Sequence, residues 1–143
     1  MGYTAPETKR YGFQISSTLI NSNDTTIQID DNNTVTQSKQ FTLGLDIFTL
    51  SNIRVMYSHR VTSAGSGEII TTYIYHNSTL KDTETHNDIA WEEITHDLKG
   101  ISWTKGDTIT LKHLVDSSPA PAYKGEVKNF RLYATNTPFY DTS

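Results

Sequence analysis

The feature that most restricts this chain is a pair of long alternating segments between Trp103 and Tyr133. After a turn at Lys105-Gly106-Asp107, Ile109 and Leu111 point to one side and Thr108, Thr110 and Lys112 to the other, the two-residue period of a strand. A Ser/Pro/Ala loop, Asp116–Ala122, interrupts the pattern, and Glu126–Ala134 resumes it with branched and aromatic residues suited to a pleated surface. Two such strands form a sheet that must bury one face. The chain offers no helix of useful size for that purpose, so a second sheet must cover the first.

The rest of the sequence agrees. Phe13, Ile15 and Leu19 alternate with polar residues, and Ile27 and Ile29 repeat the pattern after Asn21-Ser22-Asn23-Asp24, which predicts a hairpin between the two segments. A short strand is expected around Thr34-Val35-Thr36. Phe41–Leu50 alternates cleanly until Phe48 and Leu50 change parity, which predicts a bulge near Ile47-Phe48. Ile53, Val55, Tyr57 and Val61 point inward, with His59 on the same side. Thr62–Gly67 reads as a loop. In the strand from Glu68 to His76, Ile70 and Ile74 share one face while Ile69, Tyr73 and Tyr75 share the other. Asn77–Asp88 reads as a polar connection, and Ile89–Leu98 fits a short helical turn or an irregular strand. Val127 against Phe130 and Leu132 changes parity, so a second bulge is expected near Lys128-Asn129. Trp103 and Tyr133 are expected in the core.

Seven to nine strands at spacings of roughly ten residues, joined by turn-rich loops, define an all-β fold: a two-sheet antiparallel sandwich of about eight strands, of jelly-roll type. At 143 residues one domain is expected, at 13–134, with an N-terminal arm at 1–12 and a C-terminal tail at 135–143.

Composition excludes several function classes. A net charge of −4 with no Lys/Arg cluster removes the electrostatic basis of nucleic-acid binding. Without cysteine, thiolate nucleophiles and Cys-based zinc sites are excluded. No apolar run approaches the roughly 20 residues that span a bilayer, and the start MGYTAPETKRYGF carries no apolar leader, so no membrane association is expected.

The candidate chemistry is thin. Five histidines, His59, His76, His86, His96 and His113, lack the paired spacing of a zinc site and read as surface or edge residues. The one neighbourhood that could gather ligands is His96 with Asp97 and Glu92-Glu93. Asp24, Asp30, Asp31, Asn32 and Asn33 could supply oxygen ligands but also suit turns, and no cofactor or metal is expected. Glu92 and Glu93 are adjacent and would face opposite sides of a strand, so they cannot flank one glycosidic bond. Gly65-Ser66-Gly67 lacks the glycine spacing of a nucleophile elbow. The glycosylation acceptor patterns at Asn23, Asn32 and Asn77 number close to what chance supplies in a chain this rich in Asn, Ser and Thr, and they carry no weight. The chain therefore does not read as an enzyme. Its eight tyrosines and two tryptophans suit either a protein interface or stacking on sugar rings.

WTKGDTITL at 103–111, followed by VKNFRLY at 127–133, resembles the closing strands of small jelly-roll domains in structural proteins of phages and archaeal viruses, of decoration, cement or tail-associated type. The resemblance implies a virion protein, synthesised in the host cytoplasm, that binds and stabilises a viral lattice. Its partners would be copies of itself, as a homo-oligomer such as a trimer, and other virion proteins. Interface candidates are Tyr3, Pro6 and Tyr11 on the arm, Tyr73 and Tyr75 on the sheet, and Phe139 and Tyr140 on the tail. The alternative is a carbohydrate-binding or host-receptor-binding module built on the same sandwich.

Overall fold

A computed structural model describes residues 17–30, 34–44, 51–62, 68–116 and 124–136. The described residues form nine strands and no helix: β1 (Ser17–Asn23), β2 (Ile27–Asp30), β3 (Thr36–Thr42), β4 (Ser51–Val61), β5 (Ile69–His76), β6 (Thr79–His86), β7 (Glu92–Leu98), β8 (Thr108–Asp116) and β9 (Lys124–Asn136). One sheet runs β1-β9-β4-β7, with β2 also on β9, and the other runs β3-β8-β5-β6; every pairing is antiparallel.

β1 and β2 do not pair with each other, contrary to the expected hairpin. Both lie on β9 in the same direction, β1 against Phe130–Thr135 and β2 against Lys124–Val127. They are one edge strand broken at 24–26, and the break is held from the opposite sheet. Lys39, 3% exposed on β3, sends its ammonium to the Asn23 carbonyl at 2.7 Å, the Asn23 Oδ1 at 3.0 Å and the Thr25 carbonyl. Counting β1 and β2 as one, the sheet orders 1-9-4-7 and 3-8-5-6 are those of an eight-stranded jelly roll.

Ile53, Val55, Tyr57 and Val61 from one sheet meet Ile70, Ile74, Ile109, Leu111 and Val115 from the other, all at most 1% exposed, with Val127, Phe130 and Leu132 between them. The alternation expected for β4, β5 and β8 is the one observed. Trp103 is buried as expected, but Tyr133 is half-exposed on the outer side of β9, because Leu132 takes the inward position.

The bulge expected near Lys128-Asn129 is present. Met56 faces Arg131 and Ser58 faces Lys128, so two residues of β9 oppose Tyr57, and Asn129 takes a left-handed φ of 56°. The bulge expected at Ile47-Phe48 lies outside the described residues. Three other expectations are corrected. The strand after Asn33 is β3 at Thr36–Thr42, later and longer than the one expected at Thr34–Thr36. Asn77–Asp88 is mostly the edge strand β6, joined to β5 by a two-residue turn in which Asn77 has φ 53°. Ile89–Leu98 yields a regular strand, β7, paired with β4 from Ile53 to His59. Periodicity missed β6 and β7 because edge strands of this fold carry charged residues inward: Asp82, Glu84 and His86 on β6, and Glu92 and His96 on β7.

Gly125 shows how tightly the layers close. A methyl group there would sit 2.7 Å from Val115 Cγ2 and 2.8 Å from Ile70 Cδ1, both on side chains with no room to retreat. Gly125→Ala should therefore lower stability by about 1–3 kcal/mol, read as a fall in the denaturant midpoint at unchanged slope.

Candidate functional site

The structure brings together polar residues that the sequence leaves scattered. On β4, His59 continues the inward parity of Ile53, Val55 and Tyr57; on β8, His113 continues that of Ile109 and Leu111; on β5, Thr72 lies between Ile70 and Ile74. All three are fully buried. They meet across the sandwich. His59 Nδ1 is 2.9 Å from Thr72 Oγ1, which is 3.0 Å from His113 Nδ1. The outer nitrogens are engaged as well: His59 Nε2 lies 2.7 Å from Glu92 Oε1, and His113 Nε2 lies 2.6 Å from Ser38 Oγ. A continuous file of five side chains thus runs from β7 at one edge to β3 at the other, through both sheets.

Electrostatics keep both rings neutral. Burial lowers the pKa of His59, and neighbouring His86, its ring stacked at 5.4 Å, lowers it further, while the hydrogen bond to Glu92 acts the other way. Burial pushes His113 down to about 3, helped by the proximity of His59 and of the Lys39 ammonium. A neutral imidazole has one donor and one acceptor nitrogen. As a carboxylate, Glu92 only accepts, so His59 donates from Nε2 and must accept at Nδ1. Thr72 then donates to His59 and accepts from His113 Nδ1, leaving His113 Nε2 to accept from the Ser38 hydroxyl. The carboxylate sets the direction of every bond.

At the β7 end, Glu92 and His86 open onto a cleft of about 320 Å³, lined also by Ile69, Thr85 and Asn87. Between the edge strands, His96 Nδ1 is 3.3 Å from Asp82 Oδ2 and His86 Nδ1 is 3.6 Å from Glu92 Oε1. The Tyr57 hydroxyl is buried here without a well-formed hydrogen bond among the described residues, and Thr72 gives it weak polar support alone. Burial raises its pKa, and the negative charges of Glu84, Asp82 and Glu92 raise it more. Tyr57→Phe should accordingly leave the melting temperature unchanged or raise it, in contrast to the drop of several degrees usual for a core truncation.

The expectation of surface or edge histidines is thus corrected for His59 and His113, which are interior, while His86 and His96 lie on the edge strands β6 and β7. His76 ends β5, where it pairs with Asp107 at 2.9 Å and packs against Trp103 at 4.1 Å. Among the described residues no group of three or more His, Asp or Glu is placed to hold a metal. Asp97 is turned away from His96 into a two-bond pair with Arg54 at 2.7 and 3.1 Å, and Asp24 is similarly engaged by Arg131 at 2.9 Å. Glu93 is exposed on the face opposite Glu92, as the alternation required.

Of the interface candidates, Tyr73 and Tyr75 lie on the outer face of the four-stranded sheet, half-buried beside Lys112, whose ammonium sits 4.4 Å from the Tyr75 ring. Tyr3, Pro6, Tyr11, Phe139 and Tyr140 fall outside the described residues. The polar file was missed because Ser38 lies in TQSKQFT, which shows no apolar period; for His113 and Thr72 the signal was available, a polar residue on an apolar parity.

Fold and sites together define an all-β jelly-roll sandwich with a polar bridge through its core and an aromatic outer face. No protein-family model matches the sequence, and no curated protein matches it. Among solved structures, a chain in a structure of infectious bursal disease virus, Gx strain, is similar over 88% of this chain, at 12% identity and a TM-score of 0.38; this chain spans 37% of that one.

Proposed function

We propose that the chain is a structural component of a virus particle, of decoration, cement or tail-associated type, which stabilises a lattice through protein–protein contact. The observation that carries this reading is the outward placement of Tyr73 and Tyr75 on β5, an inner strand of the four-stranded sheet, with Lys112 and Leu114 of β8 on the same face. Tyrosines flanked by polar and aliphatic groups on a rigid sheet suit the centre of an interface. The edges suit it less, because β6 and β7 carry charges inward, a device that discourages strand addition. The jelly roll supports the reading as a fold used by capsid and lectin domains, although the fold alone does not assign the role.

In this reading the chain is not an enzyme and needs no cofactor. It self-associates as a homo-oligomer such as a trimer, binds other virion proteins, and resides in the virion after synthesis in the host cytoplasm. Binding to the assembled lattice in preference to free subunits would raise particle stability by mass action. Sedimentation velocity over a concentration series tests it: the chain should form a discrete oligomer that Tyr73→Ala/Tyr75→Ala dissociates without lowering the melting temperature. A chain that stays monomeric and binds glycans on an array through the same two tyrosines would overturn it in favour of a carbohydrate-binding module.

A further inference from the structure

Ser38 is the odd residue of β3. The ladder to β8 runs from Gln37 opposite Lys112 to Lys39 opposite Leu111, so Ser38 is the unpaired residue of a bulge. A bulge re-aims side chains, and here two consecutive ones turn toward the interior. Lys39 is buried, and Ser38 is half-buried with its Oγ at 2.6 Å from His113 Nε2. β3 is an edge strand, and its serine stands at the end of the file that begins at Glu92.

That file can accept a proton from Ser38 without placing charge on either ring. When the hydroxyl proton moves to His113 Nε2, the Nδ1 proton moves to Thr72, the Thr72 proton to His59 Nδ1, and the His59 Nε2 proton to Glu92. Every imidazole ends neutral in its other tautomer, and Glu92 ends as a carboxylic acid at the rim cleft, where water can take the proton. A simple serine–histidine pair would have to form an imidazolium, which burial and the Lys39 ammonium oppose at this position. Lys39 is itself fixed by Asn23 and Thr25, so its charge is held in place.

The geometry points to Ser38 as a nucleophilic attachment site that takes one acyl or phosphonyl group from an activated donor, with its proton delivered through His113, Thr72 and His59 to Glu92. In this step a bond forms from Ser38 Oγ to the donor carbon or phosphorus. The bond to the leaving group breaks, and the leaving group departs with the electron pair. The product is one covalent adduct per chain, and no residue is assigned to its hydrolysis. This activity is separate from the Tyr73/Tyr75 surface and does not depend on it.

The whole chain treated with an alkyl fluorophosphonate, from which fluoride leaves, tests the assignment by intact mass and peptide mapping. One adduct is expected, on Ser38, and none on Ser38→Ala. Glu92→Gln, at the rim, should keep the parent's melting temperature yet label at least about a hundredfold more slowly, the low end of what a positioned base supplies. Labelling rates in mixtures of light and heavy water separate the relay from a merely structural contact: several protons in flight should give a curved dependence on deuterium fraction. Absence of an adduct on Ser38 would overturn the site. A Glu92→Gln rate equal to the parent's, or a linear deuterium dependence, would overturn the relay.

Discussion

Acidification from pH 7 to pH 5 should destabilise this fold steeply, and His59 and His113 should be the reason. Both have folded pKa values below the 6.5 of a free histidine. The unfolded chain therefore binds protons that the folded chain refuses, and stability rises with pH across that interval. The contribution is complete above the unfolded value and is lost as pH falls through 6.5 toward the folded value, about 3 for His113. Over the two units from pH 7 to pH 5, His113 alone should remove about 2 kcal/mol, and His59 adds a loss of the same sign. The groups facing the rings set the balance: Glu92 supports the charged form of His59, while His86, and Lys39 at His113, oppose it. Asp24, Asp97 and Asp107, held low by Arg131, Arg54 and His76 respectively, lose their contributions only further into acid. Urea midpoints measured every half pH unit should fall by about 1 M or more over this range; a flat profile between pH 7 and 5 would mean that the rings are not buried neutral.

Thr72→Val should be among the most damaging conservative substitutions. Valine fills nearly the same volume, so packing is preserved, but its methyl group can neither donate to His59 Nδ1 nor accept from His113 Nδ1. Two fully buried nitrogens would be left without partners, at about 1–3 kcal/mol each. A total loss of about 2–6 kcal/mol is expected, enough to lower the melting temperature by roughly 5–20 °C. Thr71→Val is the matched control. Its side chain faces outward on the same strand, and it should shift stability by less than about 0.5 kcal/mol. Equal effects at 71 and 72 would show that the bridge carries no stability.

The two expectations separate the bridge's effects. Thr72→Val acts by removing hydrogen bonds at neutral pH, whereas acid acts by charging the rings that make them. The variant should therefore also flatten the pH profile if it lets water reach the imidazoles. The surface pairs Arg54–Asp97 and Arg131–Asp24 are partly exposed and contribute little beside this interior network.

Alternation by itself determined the two-layer β architecture and the inward faces of β4, β5 and β8, because a side-chain period of two with one apolar parity has few other solutions. It also located the bulge in β9, since an extra residue must invert that parity. What alternation could not settle was the edges and the interior polar contacts. β3, β6 and β7 carry polar or charged residues where a core strand would carry apolar ones, so they became strands only through the neighbours that pair with them. The hydrogen bonds from Glu92 through His59, Thr72 and His113 to Ser38 join five strands distant in sequence. No local pattern encodes such a meeting; only the closing of one sheet on the other creates it.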